Sequence, residues 1–399
     1  MVKLNYRYII LLILSFMFAY SQGGAIGYTV FYIFLLIGLV SVFFSIVSLF
    51  SVKLQAEVNQ RSYVSGSSEI IKYTIKNKSF IFVPYFIHQA DMLKALLKDY
   101  NGEIISLRPR EEATLKYKIS FPTRGIYNLG SCRIATRDIL GVIDIEGSMD
   151  LKYSIKVYPK IYPLERFLFG GRDHFEVIKR APSSIEDSYN IRDIRKYREG
   201  DSIKRINWKV SAKKQELYIK NLESVSGEEF YLILDMHRKN YSIDPKGLKE
   251  ELMIDFTVSL IKILLNKTVT VRLSINNEHR VDFFLEGEND YRGLMEYLVA
   301  EKSKATDSLI KLLHERADSY QAIRGLAIVT ATATEELMNY CLNLRAKNTS
   351  IMLFLAEENE SFLASKERLE AYGIFCYNIM ELIAVYSGED FDKSFGVNR

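Results

Sequence analysis

The sequence predicts a multidomain chain: two transmembrane α-helices, then an all-β sandwich, then an α/β domain with a mostly parallel sheet. Three observations predict this order. The first fifty residues hold two apolar runs, the following hundred alternate in short β-branched and aromatic segments, and residues 229–399 alternate strand-like with helix-like segments. A chain of 399 residues is also too long for one ordinary soluble core, so several domains are expected.

Residues 1–53 are predicted to form a two-helix membrane anchor. Tyr8 to Tyr20 is almost wholly apolar, and Ile26 to Phe50 is a longer run without a charge. About twenty apolar residues are what a helix needs to cross the hydrocarbon layer of a bilayer. The first run is shorter, so it also matches the apolar core of a cleaved signal peptide, with Ala19 and Ser21 near the cleavage point. A retained hairpin is the favoured interpretation.

Basic residues predict how this anchor is oriented in the cytoplasmic membrane of the cell. Lys3 and Arg7 flank the first run, Lys53 follows the second, and the loop between the runs is uncharged. Because basic residues accumulate on the cytoplasmic side, a multi-pass anchor with both chain termini in the cytoplasm is expected. Three widely spaced cysteines agree with a reducing compartment.

Residues 54–160 are predicted to form a β-sandwich of the immunoglobulin or fibronectin type. Segments such as EIIKYTIKN, ATLKYKISF and YSIKVYP are short, rich in Ile, Val, Tyr and Thr, and bounded by turn-forming residues. Evenly spaced short strands of this kind are typical of antiparallel sandwiches. Arg124-Gly125 and the stretch from Asp138 to Gly141 are interpreted as turns before and after a strand.

A connecting segment, residues 161–228, contains the most unusual composition of the chain. Its residues 192–220 hold ten Lys or Arg against four Asp or Glu, together with the only tryptophan. Asp201 is predicted to cap a short helix, because its carboxylate can accept backbone N–H groups of the first turn. The whole chain carries a net charge of +4, which does not by itself indicate nucleic-acid binding.

Residues 229–399 are predicted to form the α/β domain. FYLILD, TVTVRLSIN, GLAIVT, SIMLFLA and IFCYNI are interpreted as strands, and residues 248–265, 291–314, 335–346 and 360–372 as helices. Strands linked by helices form a mostly parallel sheet with both faces covered. Ligands bind such sheets at the carboxyl ends of the strands, where Asp235 and Thr330 to Thr332 are expected.

The stretch YREGDSIKRINWKVSAKKQELYIK resembles the signature of domain-of-unknown-function family 58. That family shares a Tyr-Arg-x-Gly-Asp run followed by a basic residue, Ile, one further position, Trp-Lys and Ser-Ala. RGIYNLG and RDILGVI upstream resemble the same family, so the likeness covers nearly the whole chain. The resemblance implies a C-terminal von Willebrand factor A-like fold and, because members are typically encoded beside MoxR-type AAA+ ATPases, such an ATPase as partner. It implies no general biochemical activity.

The von Willebrand factor A fold often holds Mg²⁺ through an Asp-x-Ser-x-Ser loop after its first strand, with a further Asp after a later strand. Asp235 fits the first position, but His237 and Lys239 replace the serines, and Ala331 stands where the further Asp is usual. A lysine ammonium only donates hydrogen bonds and cannot ligate a cation. We therefore predict a degenerate loop without Mg²⁺ or another cofactor. Asp235 is expected to cap a helix or to pair with Lys239 or Arg238.

Three interpretations of the basic segment remain open. It packs on the α/β core through Trp208, or it binds a protein partner, or it contacts anionic lipid head groups. Trp and Arg are the residues that most often carry binding energy at protein interfaces. The candidate partner-binding residues are Arg195, Tyr197, Arg198, Gly200, Asp201, Arg205, Trp208 and Lys209.

The sequence contains no catalytic motif of recognised spacing. Its five histidines fall in separate segments, and G-x-S-x-G, H-E-x-x-H and Walker-type loops are absent. The predicted function is a non-enzymatic, membrane-anchored cytosolic adaptor that works with a MoxR-type ATPase on membrane or envelope proteins. An Mg²⁺-dependent ligand-binding module is the alternative, and an uncharacterised enzyme is a further one. The expected partners are a protein and, through residues 4–50, the lipid bilayer, with no nucleic acid.

Overall fold

The computed structural model describes residues 2–138, 140–151, 153–164, 191–196, 208–222, 229–241, 244, 247–323, 325–347 and 349–387. The chain divides into two compact units, Met1–Tyr158 and Pro159–Arg399. The first contains two apolar helices and a β-rich domain, and the second contains a mixed sheet with helices. The finer division into four segments, with boundaries near residues 53, 160 and 228, remains a prediction.

Two helices begin the first unit. α1 (Tyr6–Gln22) has 17 residues and α2 (Gly24–Ser51) has 28. Among the residues described, only α2 is long and apolar enough to cross a membrane, because α1 is shorter than a usual span. The sequence predicts two membrane spans, whereas only one of the two helices, α2, has the length of a span. An N-terminal helix of this kind acts either as a membrane anchor or as a signal sequence.

α1 packs along α2 at small residues. A Cβ atom on Gly27 would lie 3.0 Å from the Cα of Ala19, and Gly38 faces the hydroxyl of Tyr8. That hydroxyl donates a hydrogen bond to the backbone oxygen of Phe34. Small residues let two helix backbones approach closely in an apolar medium. The two helices therefore form an antiparallel hairpin.

The described residues of the β-rich domain form eleven strands in three sheets. These are β1 (Val2–Leu4), β2 (Val52–Glu57), β3 (Ser62–Val64), β4 (Ser68–Asn77), β5 (Val83–Ala90), β6 (Glu103–Leu107), β7 (Glu112–Ser120), β8 (Gly125–Asn128), β9 (Ser131–Arg137), β10 (Ile143–Asp150) and β11 (Ser154–Tyr158), with a short helix α3 (Asp91–Leu96) after β5. The sheet orders are β1-β10-β9-β5-β6, β2-β4-β7 and β3-β11-β8, and only β3 and β11 pair in parallel. The expected β-rich domain is confirmed, whereas its immunoglobulin- or fibronectin-like arrangement remains a prediction.

β4 illustrates how alternation in the sequence builds the core of this domain. Ile71, Tyr73 and Ile75 are fully buried, and the residues between them are half-buried. Successive side chains of a strand point to opposite faces, so one face of β4 enters the core. Phe86 of β5 and Ile134 of β9 belong to the same buried cluster.

The predicted turn after β9 is confirmed. The Asp138 carboxylate accepts hydrogen bonds from the backbone N–H groups of Leu140 (3.0 Å) and Ile143 (2.9 Å). Gly141 adopts a φ of 65°, which glycine tolerates without a steric cost. Asp138 therefore shapes this turn.

β1 belongs to the β-rich domain although it precedes the hairpin. Leu4 pairs with Ile143 of β10, and the Lys3 ammonium lies 2.8 Å from the Glu146 carboxylate. The backbone N–H of Asn5 donates to the backbone oxygen of Val142 (2.9 Å). The extreme N-terminal residues are thus part of the five-stranded sheet.

The described residues of the second unit form eight strands and eight α-helices. The strands are β12 (Ile191–Lys196), β13 (Tyr218–Leu222), β14 (Glu229–Asp235), β15 (Thr270–Asn276), β16 (Val281–Leu285), β17 (Gly325–Thr330), β18 (Ser350–Leu355) and β19 (Ile374–Asn378). The helices are α4 (Trp208–Lys214), α5 (Leu248–Asn266), α6 (Glu288–Ala300), α7 (Leu309–Glu315), α8 (Ala317–Ile323), α9 (Glu335–Ala346), α10 (Glu360–Ala371) and α11 (Ile379–Ser387).

Six of these strands form one sheet of order β16-β15-β14-β17-β18-β19. All neighbours in it run parallel except β15 and the edge strand β16, so the predicted mostly parallel sheet is confirmed. Every residue of β17 is buried, as expected for a central strand with both faces covered. The von Willebrand factor A-like topology remains a prediction.

The single helix predicted over residues 291–314 is wrong in its extent, because α6 and α7 are separate helices. Between them the backbone N–H of Ser303 donates to the Glu250 carboxylate (3.1 Å), and that of Ala305 donates to the backbone oxygen of Met236 (3.2 Å). These tertiary partners replace the hydrogen bonds that a continuous helix would make.

Candidate functional site

Three parallel strands of the six-stranded sheet end side by side. β14 ends at Asp235, β15 at Asn276 and β17 at Thr330. Asp235 lies directly opposite Asn276 in the β14–β15 ladder, and β14 also pairs in parallel with β17. The side chains at their ends therefore meet at the carboxyl edge of the sheet, where ligands bind in α/β folds. The expected positions of Asp235 and Thr330 at the carboxyl ends of their strands are confirmed.

Asp235 is buried at this edge, with 4% of its surface exposed, and both carboxylate oxygens accept hydrogen bonds. Nδ2 of Asn276 donates to Oδ1 at 2.8 Å, and Oγ1 of Thr330 donates to Oδ2 at 3.0 Å. A buried carboxylate is tolerated only when donors replace its hydration. Asp235 therefore joins the ends of three strands. Its predicted pairing with Lys239 or Arg238 remains a prediction.

A pocket of about 280 Å³ opens beside Asp235. Its walls include the hydroxyl-bearing residues Ser308 and Thr332, the basic Lys239 and the apolar Leu309. Ligand pockets in proteins span about 300–1,000 Å³ and combine apolar walls with a few placed polar groups. This pocket lies just below the lower limit of that range.

Hydroxyl groups at the pocket also fix the helices that form its wall. Oγ1 of Thr334 accepts from the backbone N–H of Leu337 (3.3 Å), and Oγ of Ser308 accepts from that of Lys311 (3.4 Å). Ser and Thr at the N-cap satisfy N–H groups that have no partner within the helix. The starts of α9 and α7 are thereby held at the carboxyl edge.

His237, also in the pocket wall, is held in one tautomer by two backbone groups. Its Nδ1 accepts from the backbone N–H of Lys239 (3.2 Å), which assigns the ring proton to Nε2. Nε2 then donates to the backbone oxygen of Thr306 (3.2 Å). Because both ring nitrogens are engaged, His237 shapes the loop and is not poised as a base or a metal ligand.

The residues at this edge do not fit a magnesium centre. Mg²⁺ demands an octahedron of oxygen ligands, of which Asp235 could supply a carboxylate oxygen that also accepts a hydrogen bond from Asn276 or Thr330. His237 and Lys239 stand where two hydroxyl ligands would be needed, and Ala331 offers no side-chain oxygen. In the part of the chain that the structure describes, no group of three or more His, Cys, Asp or Glu side chains is placed to hold a metal ion.

Ion pairs lie next to the pocket. Arg280 contacts Asp307 (2.6 Å) and Glu315, and Lys311 contacts Asp307 (2.9 Å). A hydrogen bond from Lys311, together with the nearby charge of Arg280, lowers the pKa of Asp307. Polar, charged rims around a less polar centre are typical of protein interfaces.

The three cysteines are structural. Cys132, Cys341 and Cys376 are free and buried. Burial raises the pKa of the Cys132 and Cys376 thiols to about 12 and raises that of Cys341 as well. A thiol that stays protonated at neutral pH is a poor nucleophile.

The predicted signature segment forms a ribbon: β12 and β13 pair antiparallel, with α4 between them in sequence. Lys196 lies 2.7 Å from Glu216, and this contact raises the pKa of Lys196. Oγ of Ser211 accepts from the backbone N–H of Tyr218 (2.9 Å), which joins α4 to β13. Residues 212–217 are all exposed, so the ribbon presents a basic surface at the end of α4.

Only part of the candidate partner-binding set lies in this ribbon. Arg195 is in β12, and Trp208 and Lys209 begin α4, but their side chains are not among those described. The remaining candidates, Tyr197, Arg198, Gly200, Asp201 and Arg205, lie outside the described residues. Binding through this segment, and packing of Trp208 on the core, both remain predictions.

Residues 193–369 match the model of a family described as "Protein of unknown function DUF58". Over this range the chain resembles the DUF58 family. The matched range runs from β12 into α10, so it includes both the ribbon and the carboxyl-edge pocket. The uncharacterized protein YeaD of Bacillus subtilis strain 168 is 22% identical over 379 residues, which is 92% of each chain. The resemblance carried by the signature is confirmed.

Solved structures resemble this chain only weakly. The CARDB domain of a Pyrococcus furiosus protein is 13% identical, covering 27% of this chain and 91% of its own, with a TM-score of 0.19. Proximal thread matrix protein 1 from the mussel byssus is 13% identical, covering 41% and 46%, with a TM-score of 0.30. Scores of this size carry no conclusion about the fold.

Three residues in or next to the pocket are not predicted from the sequence, namely Asn276, Ser308 and Thr334. Asn276 ends the predicted strand TVTVRLSIN, and the rule about carboxyl ends applies to it as well as to Asp235. Ser308 is not predicted as an N-cap, because the helix predicted over residues 291–314 includes it. Thr334 precedes two glutamates and the start of α9, which is a usual N-cap signal.

Proposed function

We propose that this DUF58 protein is a membrane-anchored, non-enzymatic interaction protein that binds a protein partner at the carboxyl edge of its α/β domain. The observation that carries the proposal is the pocket beside Asp235. Its buried carboxylate is held by Asn276 and Thr330, and its imidazole is held by backbone groups. Groups already engaged in this way position a surface and are poor candidates for proton transfer or bond formation.

The anchor in this proposal is a retained hairpin of α1 and α2. β1 pairs with β10, and Asn5 donates to the turn before β10, so the chain ahead of α1 is part of the β-rich domain. Cleavage near Ala19 or Ser21 would remove β1 from its sheet. Residues 2–5 and the β-rich domain must also lie on the same side of the bilayer, which a hairpin achieves. The basic Lys3, Arg7 and Lys53 favour the cytoplasmic side.

The partner follows from the family resemblance. Genes of this family typically lie beside MoxR-type AAA+ ATPases, so we propose such an ATPase as the bound protein. A von Willebrand factor A-like topology would present the carboxyl edge to it, with the basic ribbon of β12, α4 and β13 as a second contact. The alternating charges of Arg280, Asp307 and Lys311 beside the pocket suit a polar protein surface.

Site-specific photocross-linking tests where the partner binds. A benzophenone amino acid in place of Thr332 samples the pocket, and the same amino acid in place of Glu367, exposed on α10, is the matched control. With the full chain in membranes and the purified neighbouring ATPase, we expect a cross-linked product from position 332 and little from position 367. Equal capture at both positions, or capture from position 367 alone, would refute binding at this edge.

Two further experiments distinguish the proposed binding at the pocket from the alternatives, which are Mg²⁺-dependent capture and binding through the ribbon. Mg²⁺-dependent capture, the alternative function, requires that EDTA abolish the cross-link from position 332. The proposal predicts an unchanged cross-link in EDTA, because the site does not fit a magnesium ion. Arg205→Glu and Trp208→Ala test the ribbon separately, since loss of binding in those variants alone would move the interface from the pocket to the signature segment.

The hairpin is tested by the mass of the purified chain and by protease protection in inverted membrane vesicles. We expect the uncleaved mass, with tags at both ends digested together. A mass that begins after residue 19 or 21 would establish signal-peptide cleavage and remove the hairpin from the proposal.

A further inference from the structure

A second cavity, of about 370 Å³, lies within the first unit, where α2 meets the β-rich domain. Its walls are mostly apolar and include Val40 and Phe44 of α2, Phe82 and Pro84 at the start of β5, and Leu140 of the Asp138 turn. Leu140 is 64% exposed, although it is a large apolar side chain. The volume is in the range of about 300–1,000 Å³ that ligand pockets occupy.

One hydroxyl in this apolar wall has no hydrogen-bond partner. Ser45 lines the cavity and is 2% exposed, and its Oγ is buried without a partner among the described residues. Other hydroxyls of the same hairpin are satisfied locally: Ser15 donates to the backbone oxygen of Leu12, and Thr29 donates to that of Ala25. Because an unmade hydrogen bond in an apolar setting costs free energy, Ser45 calls for an acceptor in the cavity.

The charged residues of the cavity wall are already engaged. The Arg137 guanidinium donates to both oxygens of Asp144, at 2.5 and 2.8 Å, and this ion pair raises the pKa of Arg137. The Asp138 carboxylate accepts the N–H groups of Leu140 and Ile143. Ser41 and Ser48 line the cavity as well as Ser45. What the cavity offers a ligand is therefore apolar surface and neutral serine hydroxyls, which does not suit a free phosphate or a charged peptide.

The cavity lies at the level where the hairpin joins the β-rich domain. Tyr8, near the start of α1, packs against Gly38, and the cavity begins two residues later on α2 at Val40. Nδ2 of Asn5 donates to the backbone oxygen of Gly141 (3.0 Å), which places the Asp138 turn beside the start of α1. In a membrane-inserted hairpin this level is the boundary between hydrocarbon and head groups, where Arg7 would also lie.

We propose that this cavity binds one acyl chain of a membrane glycerophospholipid, with an ester carbonyl accepting the hydrogen bond of Ser45. Glycerophospholipid carries an apolar chain and an ester acceptor together, and it is available at this depth of a bilayer. The inference rests on the proposed membrane anchoring. The bound lipid would fill the space between α2 and the β-rich domain and hold the two in a fixed arrangement.

Native mass spectrometry of the full chain tests this binding. The protein is reconstituted in vesicles of phosphatidylethanolamine and phosphatidylglycerol, extracted in a mild detergent, and analysed for retained lipid. Ser45→Leu fills the cavity and removes the donor, while Thr29→Leu makes the same kind of change at an exposed position of α2 outside the cavity. We expect one retained phospholipid in the wild type and in Thr29→Leu, and at least about tenfold less in Ser45→Leu. Equal retention in all three would overturn the proposal.

A second variant keeps the test decisive if Ser45→Leu does not fold. Leu140 is an exposed residue at the cavity, so Leu140→Arg changes the cavity wall without entering the core. We expect it to lose the lipid as Ser45→Leu does, with unchanged circular dichroism. Retention of the lipid by folded Leu140→Arg would overturn the proposal. Membrane fractionation before extraction separates the two claims: a chain in the soluble fraction refutes the anchor, whereas an anchored chain without lipid refutes only the lipid site.

Discussion

The two cavities of this protein differ in how their buried polar group is bonded. At the carboxyl edge of the sheet, Asp235 accepts hydrogen bonds from Asn276 and Thr330, so the polar group is part of the architecture. Beside α2, the Ser45 hydroxyl is equally buried but has no partner among the residues that the structure describes. The Asp235 carboxylate has its donors within the protein, although Oδ1 of Asn276 beside it has no donor among the described residues. The Ser45 hydroxyl instead leaves its own bond to be made by whatever occupies the second cavity.

This difference predicts how a substitution at either cavity changes the stability of the folded chain. Removing a group that satisfies its neighbours leaves those neighbours unsatisfied, and the cost is the desolvation of each abandoned partner. Removing a buried polar group that has no partner instead removes the free-energy cost of its unmade hydrogen bond. The stability of the folded chain should therefore respond in opposite ways at the two cavities.

Asp235→Ala is expected to produce the largest loss of stability. It removes the Asp235 acceptor of the buried Thr330 hydroxyl and one of the two acceptors of the Asn276 amide, which also donates to the backbone oxygen of Asp307 (3.2 Å). We expect this to lower the free energy of unfolding by about 3 kcal/mol. Denaturant unfolding of the full chain in detergent measures it. Asp307→Ala removes an exposed carboxylate beside the same pocket together with its ion pairs to Arg280 and Lys311, and should lower the stability much less than Asp235→Ala does. A loss at Asp307 as large as at Asp235 would contradict the assignment of Asp235 as the group that joins the strands.

His88 extends the comparison, because its Nε2 is also buried without a partner in the β-rich domain. Burial lowers the pKa of His88 to about 4, against about 6.5 in an unfolded chain. Between these values the unfolded state binds the proton and the folded state does not, so stability is full above pH 6.5 and falls as the pH drops. By pH 4 the loss from this group is about 3 kcal/mol.

The measurement is the free energy of unfolding as a function of pH for the wild type, His88→Phe and His314→Gln. His88→Phe should flatten the slope between pH 4 and 6.5 by about one proton. His314 is exposed, so its replacement should leave the slope as it is in the wild type. An unchanged slope in His88→Phe would show that His88 is not held neutral by burial.

Thr334→Ala is expected to have a smaller effect at the carboxyl edge. It removes the oxygen that accepts from the N–H of Leu337 at the start of α9, and loss of such a cap costs about 1 kcal/mol. Thr334→Ser keeps the acceptor and should restore most of the stability. If the alanine and serine variants unfold at the same denaturant concentration, the cap does not stabilise this wall of the pocket.

Ser45→Ala should have the smallest effect on the stability of the lipid-free chain, about zero or slightly stabilising, because the hydroxyl gives up no hydrogen bond. Ser15→Ala is the comparison, since Ser15 donates to the backbone oxygen of Leu12. A clear loss of stability in lipid-free Ser45→Ala would mean that this hydroxyl has a partner within the protein, and the contrast between the two cavities would fail.

The spacing of apolar residues correctly predicts those strands whose burial depends only on residues close by in the sequence. The alternation of SEIIKYTIKN predicts a half-buried strand, and β4 buries Ile71, Tyr73 and Ile75. The buried run FYLILD predicts the central strand β14, and its last residue, Asp235, lies at the carboxyl edge as expected. These predictions succeed because the spacing of apolar residues along a strand indicates directly whether one face or both faces are buried.

The misses have a different physical origin, because they depend on partners far away in the sequence. The helical pattern over residues 291–314 is interrupted by hydrogen bonds to Glu250 and Met236, which no local propensity reveals. The pairing of residues 2–4 with β10 likewise joins segments separated by the whole hairpin. The Ser45 cavity exists only where a helix meets a sheet, so composition alone gives no sign of it.

The most direct test of the central claim is the affinity of the full chain for the proposed partner, a MoxR-type ATPase, compared between Glu336→Arg and Glu367→Arg. Glu336 lines the pocket beside Asp235, whereas Glu367 is exposed on α10, so the two variants make the same charge reversal inside and outside the proposed interface. We predict a dissociation constant at least about tenfold higher for Glu336→Arg than for the wild type, unchanged for Glu367→Arg, and unaffected by EDTA. Equal affinities for all three proteins would contradict binding at the carboxyl edge.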